Sequence, residues 1–136
     1  MRKINYLVVH CTATQPKTEI ESIESYWKNT LKWKSSGYHY IIKANGEIVN
    51  LLSIDKVSNG VGGYNSQIIN ISYIGGIDKK GIPKDTRTPE QKASILKLLK
   101  ELKNKFPDAK IQGHRDFPKV NKACPSFDAK KEYEHL

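Results

Sequence analysis

The sequence predicts an α/β fold, a central mixed β-sheet flanked by helices and built as a single domain. Three observations carry that prediction. Apolar, β-branched runs alternate with stretches whose apolar residues recur at helical spacing, in the order β-α-β-β-β-α-β-α. The chain has 136 residues, 38% of them hydrophobic; area scaling gives roughly 7,000 Å² folded against roughly 22,000 Å² unfolded, enough for a core without staples. No internal repeat, linker or low-complexity segment divides it.

Each element has a local reason. Ile4 to His10 is too apolar in its middle for an exposed edge and reads as an interior strand. After a polar turn with Pro16, Thr18 and Glu21 have capping-box spacing. Ile20, Ile23, Trp27 and Leu31 then recur at helical intervals, which predicts a helix over 19–31. Tyr38 to Ala44 is a strand, with Tyr38 expected on the face of Tyr40 and Ile42 and His39 on the face of Ile41. Asn45-Gly46 predicts a hairpin returning through Glu47 to Leu52. Glycine-rich Ser58 to Gly63 is a loop, Ile68 to Ile74 is a strand, and Asp78 to Arg87 is a polar loop. Thr88-Pro89-Glu90-Gln91 supplies an N-cap, a proline at the first helical position and a closing glutamine. Ile95, Leu98, Leu99, Leu102 and Phe106 form one stripe, and Pro107 stops the helix. A short strand over Lys110 to Gln112 and a last helix near Asp128 to Glu134 complete the order.

Composition excludes several classes. Aromatic and β-branched residues are too plentiful for intrinsic disorder. No apolar run approaches the roughly 18 residues of a membrane helix, so no membrane insertion is expected. Tyr6 to Val9 is too short for the core of a signal peptide, so synthesis in the cytoplasm without a signal peptide is expected. Two cysteines do not make a disulfide framework. The 23 Lys+Arg against 14 Asp+Glu give +9. Such a balance attracts nucleic acid, an anionic membrane face or an acidic wall polymer, or simply keeps a small domain in solution. The basic residues are mostly lysine, with arginine only at Arg2, Arg87 and Arg115, and no nucleic-acid-binding signature accompanies them.

The chemistry-bearing residues are few. His10 ends the first strand, where sites form in α/β sheets, but taken alone a histidine there is more often a hydrogen-bonded core residue. His114 follows a short strand and Gly113, and Cys124 lies ten residues on. Two histidines and a cysteine at strand ends or turns fit a catalytic zinc set with three protein ligands and an open fourth place, or are three unrelated residues. Cys11 competes with Cys124. Neighbours on a strand point to opposite faces, so if His10 faces a metal, Cys11 does not and is a buried apolar thiol. A Cys11–Cys124 disulfide stays open and would consume the ligand. Tyr38 can bring its hydroxyl near such a site or pack as an ordinary aromatic. Lys122, two residues before Cys124, is within reach of the site or is a solvated surface lysine. His135, next to the last residue, is expected to fray.

These segments resemble the zinc-dependent N-acetylmuramoyl-L-alanine amidases, specifically the amidase-type lysozymes of T-odd phages, whose fold peptidoglycan recognition proteins share. The matching stretches are Val8-Val9-His10-Cys11-Thr12-Ala13-Thr14, Trp33 with Gly37-Tyr38-His39-Tyr40-Ile41-Ile42, Gly63-Tyr64-Asn65, Gly75-Gly76-Ile77-Asp78, Gly113-His114 and Lys122-Ala123-Cys124-Pro125-Ser126-Phe127-Asp128. They are collinear, and the last is the most specific. The resemblance implies that His10, His114 and Cys124 bind Zn²⁺ and that Tyr38 and Lys122 assist catalysis. It implies cleavage of the amide between N-acetylmuramic acid and L-alanine of bacterial peptidoglycan. Lys122 would stabilise the tetrahedral oxyanion, and Tyr38 would orient water or donate to that oxyanion. Related phage enzymes tend to carry a histidine before the Gly-Tyr-Asn segment; Ser58-Asn59-Gly60-Val61-Gly62 has none, which bears on substrate contacts in that loop. The resemblance further implies a monomeric phage or prophage lysis enzyme, released to the wall without its own signal. The alternative is a non-catalytic peptidoglycan-binding module of the same fold. Such relatives typically lack the cysteine ligand that Cys124 supplies here.

Overall fold

A computed structural model describes residues 2–136. Its elements are β1 (Tyr6–Cys11), α1 (Ile20–Ser25), β2 (Tyr40–Ile42), β3 (Ile48–Asn50), β4 (Ile68–Tyr73), α2 (Pro89–Lys105), β5 (Lys110–Gly113) and α3 (Ala129–Glu132). Five strands form one sheet in the order β3-β2-β4-β1-β5. β1 runs parallel to β4 and β5, β2 runs parallel to β4, and β2–β3 is the antiparallel hairpin. The mixed sheet and the element order match the expectation, and β1 is an interior strand.

Strand alternation divides the apolar residues between two faces. Leu7, Val9 and Cys11 of β1 pack with Ile69, Ile71 and Tyr73 of β4 against Ile95, Leu98, Leu99 and Leu102 of α2. α3 adds Ala129 to this core. On the opposite face, Ile23 and Trp27 pack on Ile41 and Ile74. His10 faces this second side, away from α2. Fully burying one such aliphatic or aromatic side chain contributes roughly 1.5–3 kcal/mol, so the two layers hold the sheet on both sides.

Several local expectations are corrected. The Thr18–Glu21 capping box does not form: α1 begins after Glu19, which makes no side-chain cap bond. Thr18 instead donates its N–H to the Gln15 carbonyl, which closes a turn. α1 continues as a π-helical turn over Tyr26–Thr30, where the Leu31 N–H reaches back to the Tyr26 carbonyl at 3.0 Å. The wider turn takes Leu31 out of phase with the stripe, so Trp27 is buried while Leu31 is 37% exposed. Tyr38 does not share a face with Tyr40 and Ile42. A bend at His39 precedes the ladder, and Tyr38 packs with Trp27 and Ile41. β1 runs one residue past His10, and β2 covers only the middle of the expected Tyr38 to Ala44 strand.

Two clamps hold the irregular segments. Arg87 donates to both oxygens of Glu132 at 2.7 and 2.9 Å and to both oxygens of Asp85 at 2.9 Å. Its guanidinium lies 3.4 Å from the centroid of the Phe127 ring, which joins the polar loop to α3 and to the turn after Cys124. Arg2 donates to the carbonyls of Ile54, Asn65, Ser66 and Ile68, which pins the loop after β3 to the start of β4.

Candidate active site

Three segments converge at the carboxyl ends of β1 and β5. His10 lies opposite Ser72 in the β1–β4 ladder, His114 opens a 3-10 turn directly after β5, and Cys124 sits on the turn before α3. One donor atom from each of His10, His114 and Cys124 lies within 4.8 Å of the others, and His10 Nδ1 is 3.8 Å from Cys124 Sγ. Around a single ion, a nitrogen ligand at about 2.0 Å and a sulfur ligand at about 2.3 Å stand about 3.5 Å apart at a tetrahedral angle. The trio can hold a metal ion.

The convergence has local causes. A Cβ at Gly113 would stand 2.6 Å from Pro125 Cδ, so glycine lets the turn after β5 meet the Cys124 turn. That turn is held by the Arg115 N–H on the Cys124 carbonyl (2.9 Å), the Tyr73 hydroxyl on the Pro125 carbonyl (2.6 Å) and the Ser126 hydroxyl on the Gly76 carbonyl (3.0 Å). The Cys124–Pro125 peptide is cis. The Cys11 N–H donates to Cys124 Sγ at 3.2 Å. The Cys11 side chain itself belongs to the core beneath α2, and both cysteines are free thiols.

The electrostatics suit metal ligation. Burial, then the charge of His114, pushes His10 down to about 3. Burial, then Lys122, pushes His114 down to about 4. Both imidazoles are therefore neutral at pH 7, the form that ligates. The Cys11 sulfur, then burial, holds the Cys124 thiol well above its ordinary range, a bias that a bound cation reverses. Burial, then the Cys124 charge, drives the Tyr38 hydroxyl far above its ordinary value, so it remains a donor.

The orientation of His10 is fixed from behind. Its Nε2 lies 2.6 Å from Asn70 Oδ1, and the Asn70 amide nitrogen donates to Ser58 Oγ at 2.6 Å. Ser58 Oγ is 3.2 Å from His39 Nδ1, and all four side chains are buried. Sequence reasoning missed Asn70 and Ser58. Their signal was a polar residue in the middle of an otherwise apolar strand, and a serine beside a glycine-rich loop.

A cleft of about 710 Å³ opens over the trio. Tyr38 and Lys122 line it with His10, His114 and Cys124, so all five candidate residues border one space. The Tyr38 hydroxyl donates to the Cys11 carbonyl at 3.3 Å, and its ring lies 5.1 Å from that of His10. Trp27, Trp33 and the exposed Tyr26 form an apolar wall, and Asn59 and Gly60 of the glycine-rich loop also line the cleft. Among the described residues no carboxylate lines the cleft. His39 is buried away from it and His135 is exposed at the far end of the chain.

A mixed sheet that carries an imidazole–imidazole–thiol group at its strand ends, beneath an open cleft and beside a protonated tyrosine, defines a hydrolase with a candidate metal centre. The chain belongs to the N-acetylmuramoyl-L-alanine amidase family, which matches residues 1–127. It is 36% identical over 134 residues to the endolysin of Klebsiella phage KP32, covering 98% of this chain and 87% of that protein. The endolysin of Escherichia phage T7 is 36% identical over 129 residues, covering 94% of this chain and 84% of its own length. The fold is shared with N-acetylmuramoyl-L-alanine amidase LysC from Clostridium intestinale, at TM-score 0.81, 24% identity and 96% and 82% coverage of the two chains. It is shared too with Apis mellifera PGRP-SA, at TM-score 0.77, 21% identity and coverage of 100% and 84%.

Proposed function

We propose that this chain is a zinc-dependent hydrolase that cuts the amide between N-acetylmuramic acid and L-alanine in bacterial peptidoglycan, with one catalytic domain over residues 1–136. The observation that carries the zinc reading is the convergence of His10, His114 and Cys124 within 4.8 Å. Two neutral nitrogens and one sulfur are a borderline-soft donor set that suits Zn²⁺. A zinc ion held there would acidify water and polarise the scissile carbonyl.

The chain's own residues then have distinct tasks. His10 and His114 remain neutral because burial opposes their protonation. Tyr38 keeps its proton, and its hydroxyl, turned from the Cys11 carbonyl, would donate a hydrogen bond to the scissile carbonyl oxygen as negative charge grows there. Lys122 brings an ammonium to the same cleft and stabilises that charge at longer range. Trp27 and Trp33 give the bound glycan or peptide an apolar wall and keep bulk water from one side. With no carboxylate on the cleft among the described residues, a Glu or Asp base is not part of this scheme. The +9 net charge suits a monomer that works on an anionic wall after release from the cell. No described helix is long and apolar enough to cross a membrane.

Metal analysis paired with digestion of sacculi tests the proposal. One zinc per chain and release of new amino termini are expected, with loss in chelator and return on adding zinc. Cys124→Ser is expected to bind zinc more weakly and to lose most activity. Full zinc and full activity in that variant would remove Cys124 from the site. Binding to sacculi without any release would point instead to a recognition module.

A further inference from the structure

We propose that Asn70, Ser58 and His39 are positioning residues that set the tautomer of His10. The inference rests on the zinc reading above and extends it behind the ligand. Two backbone groups fix the tautomer of His39, at the far end of the chain of bonds. The Asn70 N–H donates to His39 Nδ1 at 2.9 Å, so that nitrogen carries no proton. His39 Nε2 therefore carries it and donates to the Lys56 carbonyl at 2.7 Å, so the Arg2 guanidinium 3.3 Å from the same nitrogen is a packing contact and not a donor to it. Nδ1 has one lone pair, so the Ser58 hydroxyl, 3.2 Å away, is its second donor beside the Asn70 N–H and presents its own lone pairs to the Asn70 side chain. The Asn70 amide nitrogen takes that side at 2.6 Å, which turns Oδ1 toward His10. His10 Nε2 must then donate, and Nδ1 is left as a bare lone pair beside Cys124 Sγ. The opposite orientation of the Asn70 amide would take the Ser58 proton from His39 and put the His10 proton on the nitrogen that faces Cys124.

The surroundings support this assignment. Asn70, Ser58 and His39 are each 0% exposed, so no solvent competes for these bonds. A Cβ at Gly60 would collide with the Asn70 amide, so the loop closes directly over it. Arg2 holds the Ile54 carbonyl, two residues before Lys56, which steadies the loop that supplies the acceptor at the end of the chain. A metal-binding histidine whose second nitrogen is held by such a partner typically loses about 10- to 100-fold in affinity when the partner is removed.

A substitution cycle on the full chain tests the inference, with zinc affinity read by chelator competition. Ser58→Ala is expected to lower affinity about tenfold by freeing the Asn70 amide to turn. Asn70→Asp keeps an acceptor for His10 whichever oxygen faces it, so adding Ser58→Ala to Asn70→Asp is expected to cost nothing further. An equal loss in both backgrounds would make Ser58 a packing residue and overturn the proposal, as would no loss from Ser58→Ala alone. Nitrogen-15 spectra of the histidine rings before zinc is added give a second reading on the unsubstituted chain. The Nε2–H form of His10 is expected, and the Nδ1–H form would overturn the proposal even if the variants fail to fold. A chain that binds no zinc but shows the Nε2–H form would refute the zinc reading and leave the positioning chain standing.

Discussion

Tyr38 and Lys122 border the same space but have different physics. The tyrosine is packed against Trp27 and His10 and cannot ionise near neutral pH, so its contribution is one directed hydrogen bond. Tyr38→Phe is therefore expected to leave zinc content unchanged and to lower turnover by about 10²-fold, the usual effect of deleting one donor to a developing oxyanion. Metal analysis and turnover on one preparation check both halves, and loss of metal would show that the ring has a structural role. Its neighbours show what the sequence could and could not say. The sequence pointed to Cys124 through a segment that resembles the family's and to His10 through its place at a strand end, and the fold brings the two side chains together. Asn70 was not legible, since an asparagine inside an apolar strand reads equally as an edge, a bulge or a buried partner until the fold puts His10 beside it.

At the scale of elements, legibility followed how local the cause was. α2 was read correctly because its start depends on four consecutive residues: the Thr88 hydroxyl accepts the Gln91 N–H at 3.0 Å, and the Gln91 side chain accepts the Thr88 N–H at 3.0 Å. Thr88→Ala is expected to cost about 1 kcal/mol, measured as a lower urea midpoint with an unchanged slope. α1 and its π-helical turn span the expected 19–31 to within a residue, but the cap and the last turn were misread. Thr18 closes a turn with Gln15 instead of capping, and the last turn widens while Trp27 sits on Ile41 and Ile74. The face of Tyr38 was misassigned for a related reason. Alternation holds only within a ladder, and the bend at His39 lies before it.

For the whole molecule, the Arg87 clamp makes a prediction in acid. Arg87 holds Glu132 below its ordinary value, and it holds Asp85 below its own even though burial pushes the other way. The unfolded chain therefore takes up protons at these positions before the folded one, and stability present above about pH 4 falls as the solution becomes more acid. Urea midpoints between about pH 5 and pH 2 should show that slope, and Glu132→Gln should flatten it; an unchanged slope would mean that other carboxylates dominate. The ladder order has a further consequence. β1 lies between β4 and β5, strands that begin at Ile68 and Lys110, so the strand that carries His10 gains its second neighbour only once residue 110 has been made. More than a hundred residues separate His10 from Cys124, the sulfur of the proposed ligand set, so synthesis brings the two together late. On the proposed zinc reading, a chain made only as far as residue 123 lacks the sulfur ligand and is expected to be inert toward the wall.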